Sequence, residues 1–248
     1  MIRIYSKSKF ISLPKAVMCD LDNTLYEYVV PHQRALKSVQ DKCINYFSIK
    51  ATDFEKAFNF SRLQIKKELG KTASSHSRLL YFQRALENLG FGLHISIALD
   101  LEQTYWRTFF NQAILFENVK EFLDDLRMLN VPVILVTDLT AQIQFRKLVY
   151  FELDKHFDFV VTSEEAGHDK PDQAPFNLAL NKLNLKKGDI WMIGDDPYAD
   201  IEGSKKHINA ITLQKKHAGI KFLKGKYQPD AIFNEFKDLR SLLVKLKN

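Results

Sequence analysis

Apolar residues follow two rhythms along the chain. Short unbroken runs at Ala16 to Cys19, Val133 to Val136, Phe159 to Val161 and Ile190 to Ile193 are bounded by polar or turn-forming residues, as expected of strands buried on both faces. Ala210 to Leu213 and Ala231 to Phe233 are shorter runs of the same kind. Helical spacing fills the intervals from Glu117 to Leu129, about Ala141 to Tyr150 and about Pro175 to Leu183, and Leu239 to Leu246 predicts a closing helix. This alternation predicts an α/β protein with a parallel, Rossmann-like sheet covered by helices on both faces.

From Pro31 to about Ala113 the pattern is helical only. Pro31 suits a first helical position, followed by Ala35, Leu36, Val39, Cys43, Ile44 and Phe47 on one face. Thr52 and Glu55 have the spacing of a capping box for a second helix that stops at Gly70. A third helix is expected from about Ser77 to Leu89, closed by Gly90, and a fourth from about Ile97 to Ala113. The expected organisation is therefore a core of residues 1–27 and 114–248, interrupted by an all-helical domain of residues 28–113.

With 248 residues, 46% hydrophobic and few Gly or Pro, the chain can bury a full core, which excludes a disordered protein. No apolar run suggests a membrane span, and the basic, mixed residues before Lys15 lack a secretory signal pattern, so a soluble, cytoplasmic protein without membrane partners is expected. Cys19 and Cys43 are expected as buried thiols, not a disulfide. The net charge of +6 favours anionic partners. Its densest stretch, Lys215 to Lys226, is broken by Gly219 and Gly225 and predicts a solvated loop; no nucleic-acid module accompanies it, so no nucleic-acid partner is expected. His32, His156, His168 and His207 lack metal-ligand spacing and are assigned to surface or loop positions. Tyr105, Trp106, Phe109 and Phe110 are expected to pack in the helical domain.

In open parallel sheets ligands bind beyond the carboxyl ends of the strands, so the residues that follow each apolar run carry the functional signal. They are Asp20, Asp22 and Thr24 after the first run, Thr137 and Asp138 after the second, and Asp195, Asp196 and Asp200 after the fourth. Lys170 lies in the loop after the third. Several carboxylates at one rim repel one another unless a cation is present. Oxygen-only donors without His or Cys point to magnesium, which is held by one or two carboxylates together with substrate phosphate. The Thr137 hydroxyl, Lys170 and the amides of the turn after Asp20 offer positive charge and donors to a phosphate.

VMCDLDNTLY (Val17 to Tyr26), VILVTD (Val133 to Asp138), the lysine of GHDKPD (Gly167 to Asp172) and IGDDPYAD (Ile193 to Asp200) occur in this order, and with them the chain resembles the haloacid dehalogenase superfamily of phosphohydrolases. The resemblance spans Ala16 to the carboxyl end, and the helical insert resembles the cap of the family's first subclass. It implies that Asp20 is a nucleophile forming an aspartyl phosphate and that Asp22 is general acid and then base. Magnesium would be held by the carboxylates of Asp20 and Asp195 and the backbone carbonyl of Asp22. Thr137, Asp138 and Lys170 would form the phosphate-binding set, with Thr24, Asp196 and Asp200 supporting it from behind. Tyr26, Glu27 and Tyr28 fall where the family has a mobile flap and are candidate substrate contacts. Three positions depart from the family's habit: Cys19 replaces an aromatic residue, Asp138 stands where Asn is frequent, and Ile208 where Gly is common. The implied activity is a magnesium-dependent phosphomonoesterase for a small metabolite such as a sugar phosphate or nucleoside monophosphate. Alternatives are a phosphotransferase or phosphomutase, or a silent phosphate-binding protein. Dehalogenation is disfavoured because that branch lacks the carboxylate that Asp22 supplies.

Overall fold

A seven-stranded sheet organises one of the two units into which the chain divides in a computed structural model describing residues 2–217 and 219–247. This unit comprises Met1–Glu27 and Ile114–Asn248. Its strands are β1 (Arg3–Ile4), β2 (Ala16–Cys19), β3 (Val133–Thr137), β4 (Phe159–Thr162), β5 (Ile190–Gly194), β6 (Ile211–Lys215) and β7 (Ala231–Phe233). They lie in the order β1-β7-β6-β5-β2-β3-β4, parallel throughout except for β1, which runs antiparallel to β7. β1 was not anticipated, because two residues are too few to show a period.

β2 is the switch point. From it the chain steps to β3 and β4 on one side, then returns to β5, β6 and β7 on the other. Cys19 pairs with Leu135 of β3 and with Ile193 of β5, and every residue of β2 is fully buried. A crevice at the carboxyl ends is the geometric result of such a reversal. Side chains alternate between the faces. Met18, Ile134, Val136, Ile190 and Met192 share one cluster with Phe176, Ala179 and Leu180 of the helix Gln173–Leu183.

Tyr28–Ala113 is the second unit, built on α1 (Val29–Phe47), α2 (Ala51–Leu69), α3 (Arg78–Asn88) and α4 (Ile95–Gln112). α1 packs on α4 and α2 on α3. Tyr105, Trp106 and Phe109 are buried and mutually packed, with ring centroids 4.9 to 6.0 Å apart. Two expectations fail in detail. Helix α1 begins at Val29, so Pro31 sits within the first turn, where a missing N–H costs nothing because the first amides lack intrahelical acceptors. No capping box forms at α2: Lys50 is the N-cap with no side-chain bond, and Glu55 instead accepts from Gln40 Nε2 at 2.9 Å. Ser77 does cap α3, accepting from the Leu80 amide at 3.3 Å.

The remaining helices of the first unit are α5 (Val119–Met128), α6 (Ala141–Tyr150), the single turn α7 (Ser163–Ala166), α8 (Gln173–Leu183), α9 (Gly203–Ile208) and α10 (Phe236–Lys247). Ile208 is a buried member of the Met18 cluster. No helix among the described residues is long and apolar enough to cross a membrane. Lys215 does not belong to the expected basic loop. It ends β6, is buried, and lies 4.2 Å from the Phe116 ring centre. Part of the stretch after it, Ala218, lies outside the described residues.

Candidate active site

Asp20 is the first residue beyond β2, and its amide donates to the Ile193 carbonyl at 2.9 Å, which ties it to β5. Its Oδ1 lies 2.8 Å from Lys170 Nζ, and its Oδ2 accepts from Thr24 Oγ1 at 2.9 Å. Lys170 Nζ also donates to Asp200 Oδ1 at 2.7 Å and to the Val136 carbonyl at 2.8 Å. One buried ammonium therefore bridges the ends of β2 and β3 and the turn after β5. Thr24 Oγ1 lies 3.5 Å from Asp195 Oδ1 as well, so this hydroxyl stands between the two acids.

Asp20, Asp195 and Asp200 are all buried, and each offers a carboxylate oxygen within 4.8 Å of the others. Burial raises the Asp20 carboxyl above its ordinary value, with Lys170 opposing. Asp195 is pushed up to about 9 by burial and then by the charges of Asp200 and Asp20. Asp200 is pushed up to about 8 by burial, with Lys170 opposing and Asp20 adding to the rise. Among the described residues Lys170 is the ammonium in contact with Asp20 and Asp200, and Lys215 acts on Asp195 from further off. The deficit in positive charge, and a donor set made only of oxygen, fit a hard divalent cation such as magnesium.

Asp22 stands apart from that cluster. Lys147 Nζ lies 2.6 and 2.8 Å from its two carboxylate oxygens, the Tyr26 hydroxyl donates to Oδ1, and Gln144 Nε2 lies 3.5 Å from Oδ2. Burial alone would raise this carboxyl, but Lys147 outweighs it and the carboxyl is held below its ordinary value. Gln144 Nε2 also donates to Thr137 Oγ1 at 2.7 Å and to the Asp138 carbonyl at 2.5 Å. The end of β3 is thereby coupled to the Asp22 group.

These contacts also place the other residues singled out in the sequence. Tyr26 is fully buried, and its hydroxyl donates to Asp22. Glu27 is exposed, and Tyr28 belongs to the helical unit, where its hydroxyl accepts from Arg78. The Asp138 carboxylate accepts from the Lys170 amide and from Ser163 Oγ, both at 2.9 Å. Both donors meet Oδ1 and tie Asp138 to the Lys170 segment, while burial raises its carboxyl above the ordinary value with Lys170 opposing. Asp196 does not reach Lys170: its Oδ1 accepts from the Tyr198 and Ala199 amides at 2.8 Å and caps the turn Pro197–Glu202. Asp200 makes the contact to Lys170, and its Oδ2 accepts from the Asp196 amide at 3.0 Å.

Cys19 is wholly buried and burial pushes its thiol well up, which leaves it inert as a nucleophile. His32 is no surface histidine, since its Nδ1 lies 2.7 Å from the Tyr105 hydroxyl within the helical unit. Lys147 and Gln144 were missed. Both are buried on the same face of α6 as Ile143 and Leu148, and a lysine on an apolar stripe was the readable sign.

The haloacid dehalogenase-like hydrolase profile matches residues 17–212. A ribulose-1,5-bisphosphate 5-phosphatase of Halopiger xanaduensis is 35% identical over 200 residues, 80% of this chain and 82% of that one. A glyceraldehyde 3-phosphate phosphatase of Methanocaldococcus jannaschii is 26% identical, covering 94% and 98%. Among solved structures, a phosphatase of this fold from Thermococcus onnurineus superposes with a TM-score of 0.67 at 20% identity, over 92% of this chain and 97% of that one. A 2-haloacid dehalogenase from Pseudomonas syringae gives 0.71 at 21% identity, over 94% and 99%. These last two carry the fold alone. With the ordered acidic motifs gathered at the end of the central strand and the profile spanning most of the chain, the protein belongs to the haloacid dehalogenase-like hydrolase family, as an enzyme of its phosphatase branch.

Proposed function

We propose that the protein is a magnesium-dependent phosphomonoesterase that cleaves a small phosphorylated, sugar-like metabolite through an aspartyl phosphate on Asp20. The observation that carries this reading is the buried meeting of Asp20, Lys170, Asp195 and Asp200 at the switch point of the sheet. The names of the two phosphatase relatives, which act on a pentulose bisphosphate and a triose phosphate, support the substrate class.

Asp20 attacks phosphorus in line with the departing oxygen, and the P–O ester bond breaks as the acyl phosphate forms. Asp22, which Lys147 holds ionised in the free protein, takes up a proton as the substrate binds and gives it to that oxygen. In the second half it takes a proton from the water that attacks phosphorus, so its own protonation is restored when inorganic phosphate leaves and Asp20 is freed. Lys170 and Thr137 stabilise the charge on the transferring group. The carboxylates of Asp20 and Asp195, with the backbone carbonyl of Asp22, would hold magnesium. Bound there, the ion supplies neutralisation for an anionic nucleophile approaching an anionic phosphate. In this reading residues 28–113 are the cap that selects the substrate, and residues 1–27 and 114–248 are the catalytic core.

The test is hydrolysis of p-nitrophenyl phosphate with magnesium and with chelator, in wild type and Asp20→Asn. Magnesium-dependent turnover lost in Asp20→Asn is expected, with a trapped acid-stable phosphoryl group in wild type alone. Equal turnover in the two proteins would remove the covalent mechanism.

A further inference from the structure

Gln144 lies on the inner face of α6 and is completely buried. Its Nε2 lies 2.5 Å from the Asp138 carbonyl and 2.7 Å from Thr137 Oγ1, with Asp22 Oδ2 further off at 3.5 Å. Its Oε1 is buried and has no partner among the described residues. Enclosing an amide with only one of its two ends bonded is costly, so a glutamine here calls for a reason beyond packing.

The partners fix which way the amide points. A carbonyl oxygen only accepts, so the atom 2.5 Å from the Asp138 carbonyl is the nitrogen; the reverse orientation would press two acceptors together. An amide nitrogen carries two hydrogens, and the two close contacts use both. Thr137 Oγ1 therefore receives a hydrogen bond and must send its own hydrogen elsewhere. Among the described residues the other contact of this hydroxyl is the Asp138 carbonyl, which is 3.5 Å away and already engaged by Gln144. Thr137 ends β3 at the rim where Lys170 Nζ bonds to the Val136 carbonyl and to Asp20 Oδ1. A hydroxyl hydrogen without a close acceptor is thus kept at the rim that carries Asp20.

We propose that Gln144 is a positioning residue for the transfer step: by donating to Thr137 Oγ1 and occupying the Asp138 carbonyl, it sets the Thr137 hydroxyl as a hydrogen-bond donor to a phosphoryl oxygen. This inference rests on the phosphatase reading above and adds to it a residue that acts without touching substrate. A donor whose hydrogen is already aimed needs no reorganisation as charge develops on the transferring group. Without Gln144 the hydroxyl turns to the Asp138 carbonyl, and the transferring group meets a lone pair.

The experiment is a double-variant cycle on kcat and KM for p-nitrophenyl phosphate with magnesium, using Gln144→Met, Thr137→Val and the two combined, with inhibition by orthovanadate measured in each protein. Thr137→Val is expected to lower kcat about tenfold to a hundredfold, the effect of one hydrogen bond to a charged group, and to weaken orthovanadate by a similar factor. Gln144→Met is expected to lose most of that factor in kcat, with KM within about twofold, although the Thr137 hydroxyl is still present. Combining them should cost less than about twofold beyond Thr137→Val alone, because both remove one donor. Losses that multiply in the combined variant overturn the proposal, since Gln144 would then act by another route, and so does a wild-type kcat in Gln144→Met. Should Gln144→Met melt below the assay temperature, Gln144→Glu replaces it in the cycle, because its carboxyl accepts from the Thr137 hydroxyl. Its cost is then expected to be at least about fivefold smaller in the Thr137→Val background, and an equal cost in both backgrounds overturns the proposal. An unchanged kcat in Thr137→Val also overturns it while leaving the phosphatase reading intact. A wild type without magnesium-dependent turnover overturns both.

Discussion

The ammonium of Lys147, which is completely buried, lies 2.6 and 2.8 Å from the two carboxylate oxygens of Asp22. The pair spans 125 residues and joins the loop after the central strand to the inner face of α6. It gives the two acids of the first motif different cationic partners. Asp20 shares Lys170 with the carboxylate cluster, whereas Asp22 has a cation of its own.

Lys147→Met is expected to leave Asp22 partly buried without its counter-charge. Breaking a buried ion pair costs about 3–5 kcal/mol, and the 27% exposure of Asp22 places this one near the lower end. Chemical denaturation of Lys147→Met, Asp22→Asn and the double variant measures the coupling, and the double variant should recover most of the loss. Additive losses would mean that the pair contributes little. In activity, Lys147→Met should lower kcat more than it raises KM and should move the limb of the pH profile that Asp22 sets to higher pH, because its carboxyl loses the charge that held it down.

Asp195 sits among like charges that a divalent ion would relieve. In chelator, Asp195→Asn should melt at the same temperature as wild type or higher, because the carboxyl that burial and its acidic neighbours disfavour is replaced by a neutral amide. Magnesium should raise the wild-type melting temperature by several degrees through linkage and leave the variant nearly unmoved. An equal shift in both proteins would place the ion elsewhere.

Gly194 ends β5, and a Cβ built on it would collide with the Asp200 carboxylate. Gly194→Ala must therefore push Asp200 away from Lys170. Overpacking of this kind costs about 1–3 kcal/mol, and turnover is expected to fall at least about tenfold because Lys170 loses one of its anchors. A structure of the variant with the 2.7 Å contact between Lys170 and Asp200 intact would contradict this.

His32 gives the helical unit a pH dependence of defined sign. Burial, then Arg78 and Arg62, lower its value from 6.5 to about 4, so the unfolded chain takes up the proton first as pH falls. Stability from neutral His32 is complete above about pH 6.5 and is lost progressively down to about 4. Allowing for its partial exposure, the loss between about pH 7.5 and pH 5 should be about 1 kcal/mol. Unfolding free energies of wild type and His32→Gln at the two pH values check this. Parallel slopes would show that His32 contributes nothing.

Local order in the residues was enough to read much of the molecule. Runs such as Ala16 to Cys19 and Ile190 to Ile193 became strands because unbroken apolar segments with polar ends have few other places to go. The acids after them were legible as a group for the same reason: each follows a strand, and parallel strands deliver their ends to one rim. Chain periodicity also marked the helical stretch that forms α1 to α4.

Partnership between distant side chains was decided by folding alone. That Asp196 caps a turn while Asp200 grips Lys170, that Tyr26 turns inward onto Asp22, and that Lys147 reaches the same acid all depend on which helix face meets which strand end. That Arg78 Nε finds no acceptor among the described residues is the same kind of fact, since it depends on where its neighbours have been placed. Local spacing governs secondary structure because its contacts lie within a few residues, whereas charge pairing depends on distance in space, which residue order does not encode.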